Sequence, residues 1–213
     1  MRRYVFSDPD FDLRFTQLVE ARRDTPEDVE AIVRDVLHAV RTEGVAALLR
    51  YARDFDRVEL TEASLRVTPE EIAAGAAECP QDVRDAIAFA AARIRRYHER
   101  QRPTDNRFID EAGVEMGWRW TPLDSVGIYV PGGRAAYPST VLMNAVPAAA
   151  AGVSRIAMVT PPGRLQPAVL AAAQAAGVTE IWRVGGAQAV AALAYGAGPI
   201  APVDKIVGPG NAY

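Results

Sequence analysis

Four short runs of apolar and β-branched residues recur at nearly equal distances along the second half of the chain. The runs are Val126–Val130, Arg155–Thr160, Glu180–Val184 and Asp204–Val207. Their first residues lie 24 to 29 positions apart, and alanine-rich stretches of helical length separate them: Ser139–Ala151, Gln166–Ala176 and Ala187–Ala197. Strands that alternate with helices at this spacing pair in parallel through right-handed crossovers. We therefore predict an α/β fold whose parallel sheet is covered by helices.

Charge is distributed unevenly along the chain. Of the 51 charged residues, 43 lie in residues 1–120 and 8 in residues 121–213. A parallel sheet is buried on both faces, and this burial explains the low charge of the second part. The net charge of −3 argues against binding to nucleic acid or to an anionic membrane.

The first part is expected to be helical. Thr25-Pro26-Glu27-Asp28 combines an N-cap residue, a proline at the first helical position and an acidic residue, and Thr68-Pro69-Glu70-Glu71 repeats this signature. One apolar stripe at helical spacing follows the first signature: Val29, Ile32, Val33, Val36, Leu37 and Val40. A long helix is predicted over residues 83–97. Residues 1–105 are thus predicted to form a helical segment that contributes to the first domain.

Residues 106–213 are expected to form a β-hairpin followed by a Rossmann-like domain. The hairpin strands Asn106–Asp110 and Val114–Trp120 flank a turn at Gly113. Trp118 and Trp120 share one strand face, which indicates packing against the neighbouring strand.

Two uncharged stretches, residues 135–154 and 184–203, have the length of a transmembrane helix. Both are interrupted by proline and glycine, and much of their apolar content is alanine, which contributes little to membrane insertion. They therefore indicate buried helices joined by turns and not a membrane span. The start of the chain runs directly into Asp8, Asp10 and Asp12, which is unlike a signal peptide. The cytoplasm is therefore the expected location.

The chain offers few side chains for nucleophilic or metal chemistry. His38 and His98 are on predicted helices, without a nearby cysteine or carboxylate motif. Cys79 is the single cysteine and lies at a predicted helix end before Pro80, where no base activates it. We assign no catalytic residue and no metal ligand within this chain.

The residues after each strand are better candidates for a site. The four turns are Tyr129-Val130-Pro131-Gly132-Gly133, Thr160-Pro161-Pro162, Gly185-Gly186-Ala187-Gln188 and Gly208-Pro209-Gly210-Asn211. In open α/β sheets ligands bind outside the carboxyl ends of the strands, and glycine lets the backbone approach them. Tyr129, Gln188 and Asn211 are the polar side chains that these turns present to a nucleotide. The alternative is that these glycines only form ordinary strand-to-helix turns, since neither G-x-G-x-x-G nor a P-loop is present.

The amino-acid sequences of these turns resemble those of one enzyme family. The segments are Val126-Gly-Ile-Tyr-Val-Pro-Gly-Gly133, Ser139-Thr-Val-Leu-Met143, Val184-Gly-Gly-Ala-Gln-Ala189 and Val203-Asp-Lys-Ile-Val-Gly-Pro-Gly-Asn-Ala-Tyr213. Together with Val45-Ala-Ala-Leu-Leu-Arg-Tyr-Ala-Arg-Asp-Phe-Asp56, they resemble histidinol dehydrogenase along essentially the whole chain.

This resemblance implies oxidation of L-histidinol to L-histidine through an aldehyde in two NAD-dependent steps, the last reaction of histidine biosynthesis. It also implies a zinc-dependent homodimer with incomplete Rossmann-like domains, related in fold to aldehyde dehydrogenases. Tyr129, Gln188 and Asn211 match the family's NAD contacts. The choice of NAD over NADP rests on the family alone.

The family chain is about twice as long, and its catalytic and zinc-binding residues are expected downstream of Tyr213. The resemblance therefore predicts that residues 1–213 hold part of the NAD site and are inactive alone. One alternative is a catalytically inactive binding or assembly module of the same fold. Another is a reductase of the aldehyde dehydrogenase type, which needs a catalytic cysteine; the position of Cys79 in the helical part counts against it.

Overall fold

The fold is given by a computed structural model that describes residues 4–23, 27–132, 137–163 and 165–209. Over these residues the helices are α1 Phe11–Arg23, α2 Glu27–Glu43, α3 Val45–Asp54, α4 Glu62–Leu65, α5 Pro69–Ala77, α6 Gln81–Glu99, α7 Pro138–Ala151, α8 Pro167–Ala176 and α9 Gly186–Tyr195. The strands are β1 Arg66–Val67, β2 Asn106–Ile109, β3 Glu115–Trp118, β4 Ser125–Tyr129, β5 Arg155–Thr160, β6 Glu180–Arg183 and β7 Lys205–Val207.

The main sheet has the strand order β1-β6-β5-β4-β7. β4 pairs in parallel with β5 and with β7, and β5 pairs in parallel with β6. The chain thus adds strands to one side of β4 and then crosses back to its other side, as in half of a Rossmann sheet. This order confirms the predicted α/β architecture and its four parallel strands.

One strand of the sheet was not predicted. β1 pairs antiparallel with β6, with Arg66 opposite Trp182 and Val67 opposite Ile181. It lies in the segment that was predicted to be helical. The strand was missed because two residues are too few to show an alternation of apolar and polar positions. The helical amino-terminal part therefore supplies an edge of the sheet as well.

Helices cover both faces of the sheet. On one face α5, α6, α7 and α8 pack over apolar side chains of the strands, including Ile128, Ile156 and Met158. On the other face α2, α3 and α9 pack over Ala157 and Val159. Alternate residues of β5 thus enter opposite cores, as the two-residue period of a strand requires.

The boundaries of the parallel strands and their helices lie within one or two residues of the predicted ones. Gly152 and Gly177 end α7 and α8 with φ of 97° and 80°, the left-handed conformation expected at a helix C-cap. The predicted cap at Thr25 and Pro26 lies outside the described residues, and α2 is described from Glu27.

The apolar stripe of α2 is only partly buried. Val36 and Val40 are 4% and 1% exposed, whereas Ile32 is 57% exposed. α2 packs against α9 and α3, and Ile32 lies on the predicted stripe but outside this core.

The β-hairpin is shorter than predicted, with strands that end at Ile109 and Trp118. The Trp118 ring meets the Phe108 ring edge-on at 6.5 Å between centroids, and its Nε1 donates to the carbonyl of Thr104 at 3.2 Å. Trp120 lies beyond the strand and is 60% exposed, so its predicted packing against the neighbouring strand was wrong.

Among the residues that the structure describes, none of the helices combines the length and the hydropathy that a membrane span requires.

The amino ends of the strands are tied together by a polar cluster. Asp204 accepts hydrogen bonds from the backbone N–H and the hydroxyl of Ser125, both at 2.9 Å, and its own N–H donates to that hydroxyl oxygen at 3.1 Å. Arg155 pairs with Glu180 at 2.6 Å and donates to the carbonyls of Ala201 and Pro202 at 2.8 Å. These bonds fix β7 beside β4 and leave the opposite edge of the sheet for a site.

Candidate functional site

The candidate site is the edge of the sheet where the parallel strands β4 to β7 end. Consecutive connections leave β4 toward β5 on one side, and β7 lies on the other side of β4. In sheets of this kind a crevice opens outside the carboxyl ends at the point where the strand order reverses. That point lies between β4 and β7, so we expect a ligand to bind beside the turns that the sequence singles out.

Tyr129 is the last residue of β4 and is half-buried against the core beneath α9. Its hydroxyl oxygen accepts a hydrogen bond from the backbone N–H of Gly186 at 3.1 Å. Gly186 is the first residue of α9, and helices leave their first N–H groups without a partner inside the helix. The tyrosine thus satisfies one of these groups and joins the ends of β4 and β6.

The turn between β6 and α9 places Gln188 at the site. Gly186 has a φ of +61°, a conformation that favours glycine, and a Cβ there would lie 2.5 Å from Oε1 of Gln188. Gln188 is 3% exposed as a residue, and the structure shows no hydrogen bond from its side-chain amide to another described residue. Neither amide atom is among the fully buried side-chain atoms that lack a partner, which in the described part of the chain are Nε1 of Trp182 and Oδ2 of Asp56. Gln188 therefore has hydrogen-bonding capacity to offer to a ligand.

The turn after β7 meets the turn after β4 at the backbone. Gly208 has a φ of +141°, and a Cβ there would lie 2.5 Å from the carbonyl oxygen of Tyr129. Only a residue without a side chain fits this approach. The carboxyl end of β7 is therefore in close contact with Tyr129.

Two of the three predicted site residues come together. Tyr129 and Gln188 both lie against Gly186, one through its hydroxyl and the other through its side-chain amide. Asn211, the third predicted residue, lies outside the described residues, as does Gly133.

Pro161 is a site residue that sequence reasoning did not single out. It follows β5, between the turns that contain Gly132 and Gly185, and its ring lies close to both glycines. The signal in the sequence was a proline in the middle turn of three, flanked by glycines in the other two.

The residues considered for metal or nucleophilic chemistry lie away from these turns in the chain. His38 is exposed on α2, and His98 is half-buried on α6 in a groove with Met143 and Pro147. Cys79 is 2% exposed and packs in the core beneath α5 and α6. The described part of the chain contains no cluster of three or more His, Cys, Asp or Glu side chains that could hold a metal ion.

The carboxyl groups with shifted pKa lie outside these turns. Hydrogen bonds from the Ser125 hydroxyl and N–H hold the pKa of Asp204 below its ordinary value, at the amino ends of the strands. The Thr68 backbone N–H and then Arg183 lower the pKa of Glu71. Burial raises the pKa of Asp56, in the turn after α3. The described turns thus offer backbone groups, a hydroxyl and an amide, a set suited to binding and orienting a ligand.

Comparison with known proteins agrees with this geometry. The family model for histidinol dehydrogenase matches residues 19–213. The chain belongs to the histidinol dehydrogenase family. The histidinol dehydrogenase of Caulobacter vibrioides is 75% identical over 213 residues, which are 100% of this chain and 50% of that protein. That of Mesorhizobium japonicum is 54% identical over 209 residues, which are 97% of this chain and 49% of that protein.

A solved structure of the family has the same fold. The crystal structure of histidinol dehydrogenase from Elizabethkingia anophelis matches with a TM-score of 0.83 at 37% identity, covering 88% of this chain and 44% of that one. The chain thus spans about half the length of the histidinol dehydrogenases that it matches. The family is one of oxidoreductases that act in histidine biosynthesis.

Proposed function

We propose that residues 1–213 supply part of the NAD site of an enzyme that oxidises L-histidinol to L-histidine through histidinaldehyde. Membership of the histidinol dehydrogenase family supports the reaction. The observation that supports the NAD site is the start of α9 at the carboxyl ends of the strands, where the Tyr129 hydroxyl and the Gln188 side chain both lie against Gly186. In open α/β sheets ligands bind at this end of the strands.

NAD, when bound, supplies the hydride acceptor for both oxidations. The residues of this chain bind and orient it. Gly185 and Gly186 let the backbone approach the cofactor, and the N-terminus of α9 presents N–H groups with a positive dipole to its diphosphate. The Tyr129 hydroxyl accepts from Gly186 and keeps its own proton for donation. Asn211 is proposed as a further NAD contact from the family motif.

Zinc is the second cofactor that the family resemblance implies, and the described residues do not fit it. They include no cluster of three or more metal-ligating side chains of the kinds that zinc needs. We therefore derive no step through zinc and place its ligands in the half of the family sequence that this chain does not span. On the same proposal the enzyme works in the cytoplasm as a homodimer, and residues 1–213 alone do not turn over histidinol.

Isothermal titration calorimetry of NAD into the 213-residue chain tests whether these residues bind NAD. We expect binding by the wild type and a dissociation constant about tenfold higher in Gln188→Ala, since one or two hydrogen bonds are lost. Gln174→Ala is the matched control, because Gln174 is exposed on α8. Absence of NAD binding to the wild type, or equal losses in the two variants, would contradict the site.

Activity needs a longer protein. A chimera that joins residues 1–213 to the second half of the Caulobacter vibrioides relative is expected to form NADH from histidinol in the presence of zinc, whereas residues 1–213 alone form none. In the chimera, Gln188→Ala should raise the KM for NAD more than the KM for histidinol. NADH production by the 213-residue chain alone would refute the proposal that residues 1–213 do not turn over histidinol without the second half.

A further inference from the structure

Pro161 stands between the two glycine turns of the site. β5 lies between β4 and β6 in the sheet, and Pro161 is the first residue after β5. A Cβ built on Gly132 would lie 3.1 Å from Cβ and Cγ of Pro161. A Cβ built on Gly185 would lie 2.6 Å from its Cγ and 2.9 Å from its Cβ. The proline ring thus packs against the backbone of the turn on either side.

The closeness of Pro161 is what requires glycine at position 185, since Cγ, Cβ and Cα of Pro161 lie 2.6, 2.9 and 3.0 Å from a Cβ built there. Gly185 has φ −113° and ψ −173°, an extended conformation that any residue adopts. Glycine is therefore needed at position 185 because a side chain would collide with Pro161, and not because of the backbone conformation. Gly186, the next residue, differs because its φ of +61° itself favours glycine.

A proline is well suited to act as a spacer at this place. Its ring is rigid and its φ is fixed, so it holds a constant thickness between neighbouring turns. The same two turns are also joined by the hydrogen bond from the Gly186 N–H to the Tyr129 hydroxyl. One contact draws the turns together and the other limits how closely they approach.

We propose that Pro161 is a positioning residue whose ring sets the separation between the turn after β4 and the turn after β6. That separation fixes the N-terminus of α9, and with it Gln188, relative to Tyr129. The proposal rests on the NAD site proposed above. It adds a residue that acts through Gly132 and Gly185 and needs no contact with the cofactor.

A double-mutant cycle on the 213-residue chain tests this role. The variants are Pro161→Ala, Gly185→Ala and the pair together, with Pro162→Ala as a matched control. Pro162 is the adjacent proline, is equally half-buried, and is not among the nearest neighbours of Gly132 or Gly185. The readouts are the NAD dissociation constant by calorimetry and the hydrogen-exchange rate of the Gly186 amide by NMR.

Pro161→Ala should raise Gly186 exchange on the order of tenfold, because without the ring the separation of the turns is no longer fixed and the hydrogen bond to Tyr129 loses its set geometry. It should also raise the NAD dissociation constant about fivefold, whereas Pro162→Ala changes neither. Gly185→Ala forces a Cβ against the proline ring and should weaken NAD binding by more than about tenfold. The double variant removes the 2.6 Å contact with Cγ and keeps those with Cβ at 2.9 Å and Cα at 3.0 Å. Because the closest contact is gone, it should lose less than the product of the two single effects.

Two results would overturn the proposal: an unchanged Gly186 exchange rate in Pro161→Ala, or strictly multiplicative effects in the cycle. If Gly185→Ala does not fold, the comparison of Pro161→Ala with Pro162→Ala decides through the exchange rate alone. Loss of NAD binding in the wild type with the exchange coupling intact would contradict the NAD site while supporting the spacer role. The two proposals therefore fail separately.

Discussion

The hydroxyl of Tyr129 and the backbone N–H of Gly186 are joined by a hydrogen bond of 3.1 Å that spans from β4 to the start of α9. Tyr129 ends β4, and Gly186 follows β6. β5 lies between these two strands, so the tyrosine side chain reaches across the end of β5. The bond satisfies a helix N-terminal donor at Gly186, against which the Gln188 side chain also lies. Removal of the hydroxyl alone therefore probes the site without removing the ring.

Tyr129→Phe should weaken NAD binding to the 213-residue chain about fivefold, which corresponds to about 1 kcal/mol, with little loss of stability. The ring keeps its packing against the α9 core, whereas the Gly186 N–H loses its partner. Calorimetry with NAD measures the effect, and Tyr51→Phe on α3 serves as control. Unchanged affinity in Tyr129→Phe would show that the hydroxyl has no part in the site.

Gly186→Ala should weaken NAD binding more than Gly113→Ala does. Both glycines have positive φ, +61° and +82°, so alanine costs about 1 kcal/mol at each. A Cβ at position 186 also meets Oε1 of Gln188 at 2.5 Å, whereas one at position 113 meets nothing within 4 Å. We expect NAD binding to be lost only in Gly186→Ala. Equal affinity in the two variants would mean that the Gln188 side chain moves aside at no cost to binding.

The parallel sheet was predictable because its sequence signals are local and repeat. Strands such as Arg155–Thr160 are continuous apolar runs, and Gly152 and Gly177 mark the helix ends. These signals also place Tyr129 and Gln188 at the same edge, since carboxyl ends of parallel strands meet there.

Other features depend on contacts that no local pattern reveals. β1 is two residues long and is defined by its pairing with Trp182 and Ile181, far along the chain. Ile32 fits the helical period of α2 but is 57% exposed, because burial depends on the packing of other elements and not on the local pattern. The role of Pro161 follows from distances across three strands to Gly132 and Gly185.

Arg183→Ala should lower the free energy of unfolding by about 2–3 kcal/mol. The guanidinium donates to the carbonyls of Ser64 and Arg66 at 3.0 and 2.9 Å and to the Glu71 carboxylate at 2.7 Å. It thereby joins β6 to the segment that carries β1, and its loss removes a part-buried hydrogen bond to the Ser64 carbonyl and two exposed bonds, to the Arg66 carbonyl and to Glu71. Urea unfolding followed by circular dichroism measures the change.

Arg107→Ala is the control for Arg183, because the Arg107–Glu115 pair is exposed on both sides, at 85% and 64%. Exposed pairs of this kind contribute at most about 1 kcal/mol. Equal destabilisation by the two variants would show that Arg183 acts only as a surface charge.

Asp204→Asn should change how stability depends on pH. Ser125 lowers the pKa of Asp204 by donating to it from its hydroxyl and its N–H, so folding favours the ionised carboxyl. A carboxyl whose pKa is lower in the folded state stabilises that state above its unfolded pKa and loses this effect as the pH falls through the folded pKa. The wild type should therefore exceed Asp204→Asn in Tm at neutral pH, with the gap closing as the pH falls below the ordinary aspartate pKa of 3.8. Melting curves from neutral to acid pH measure it, with Glu111→Gln in the exposed hairpin turn as the matched carboxyl-to-amide control. A gap that persists at the acid end would mean that Asp204 acts through its shape and not its charge.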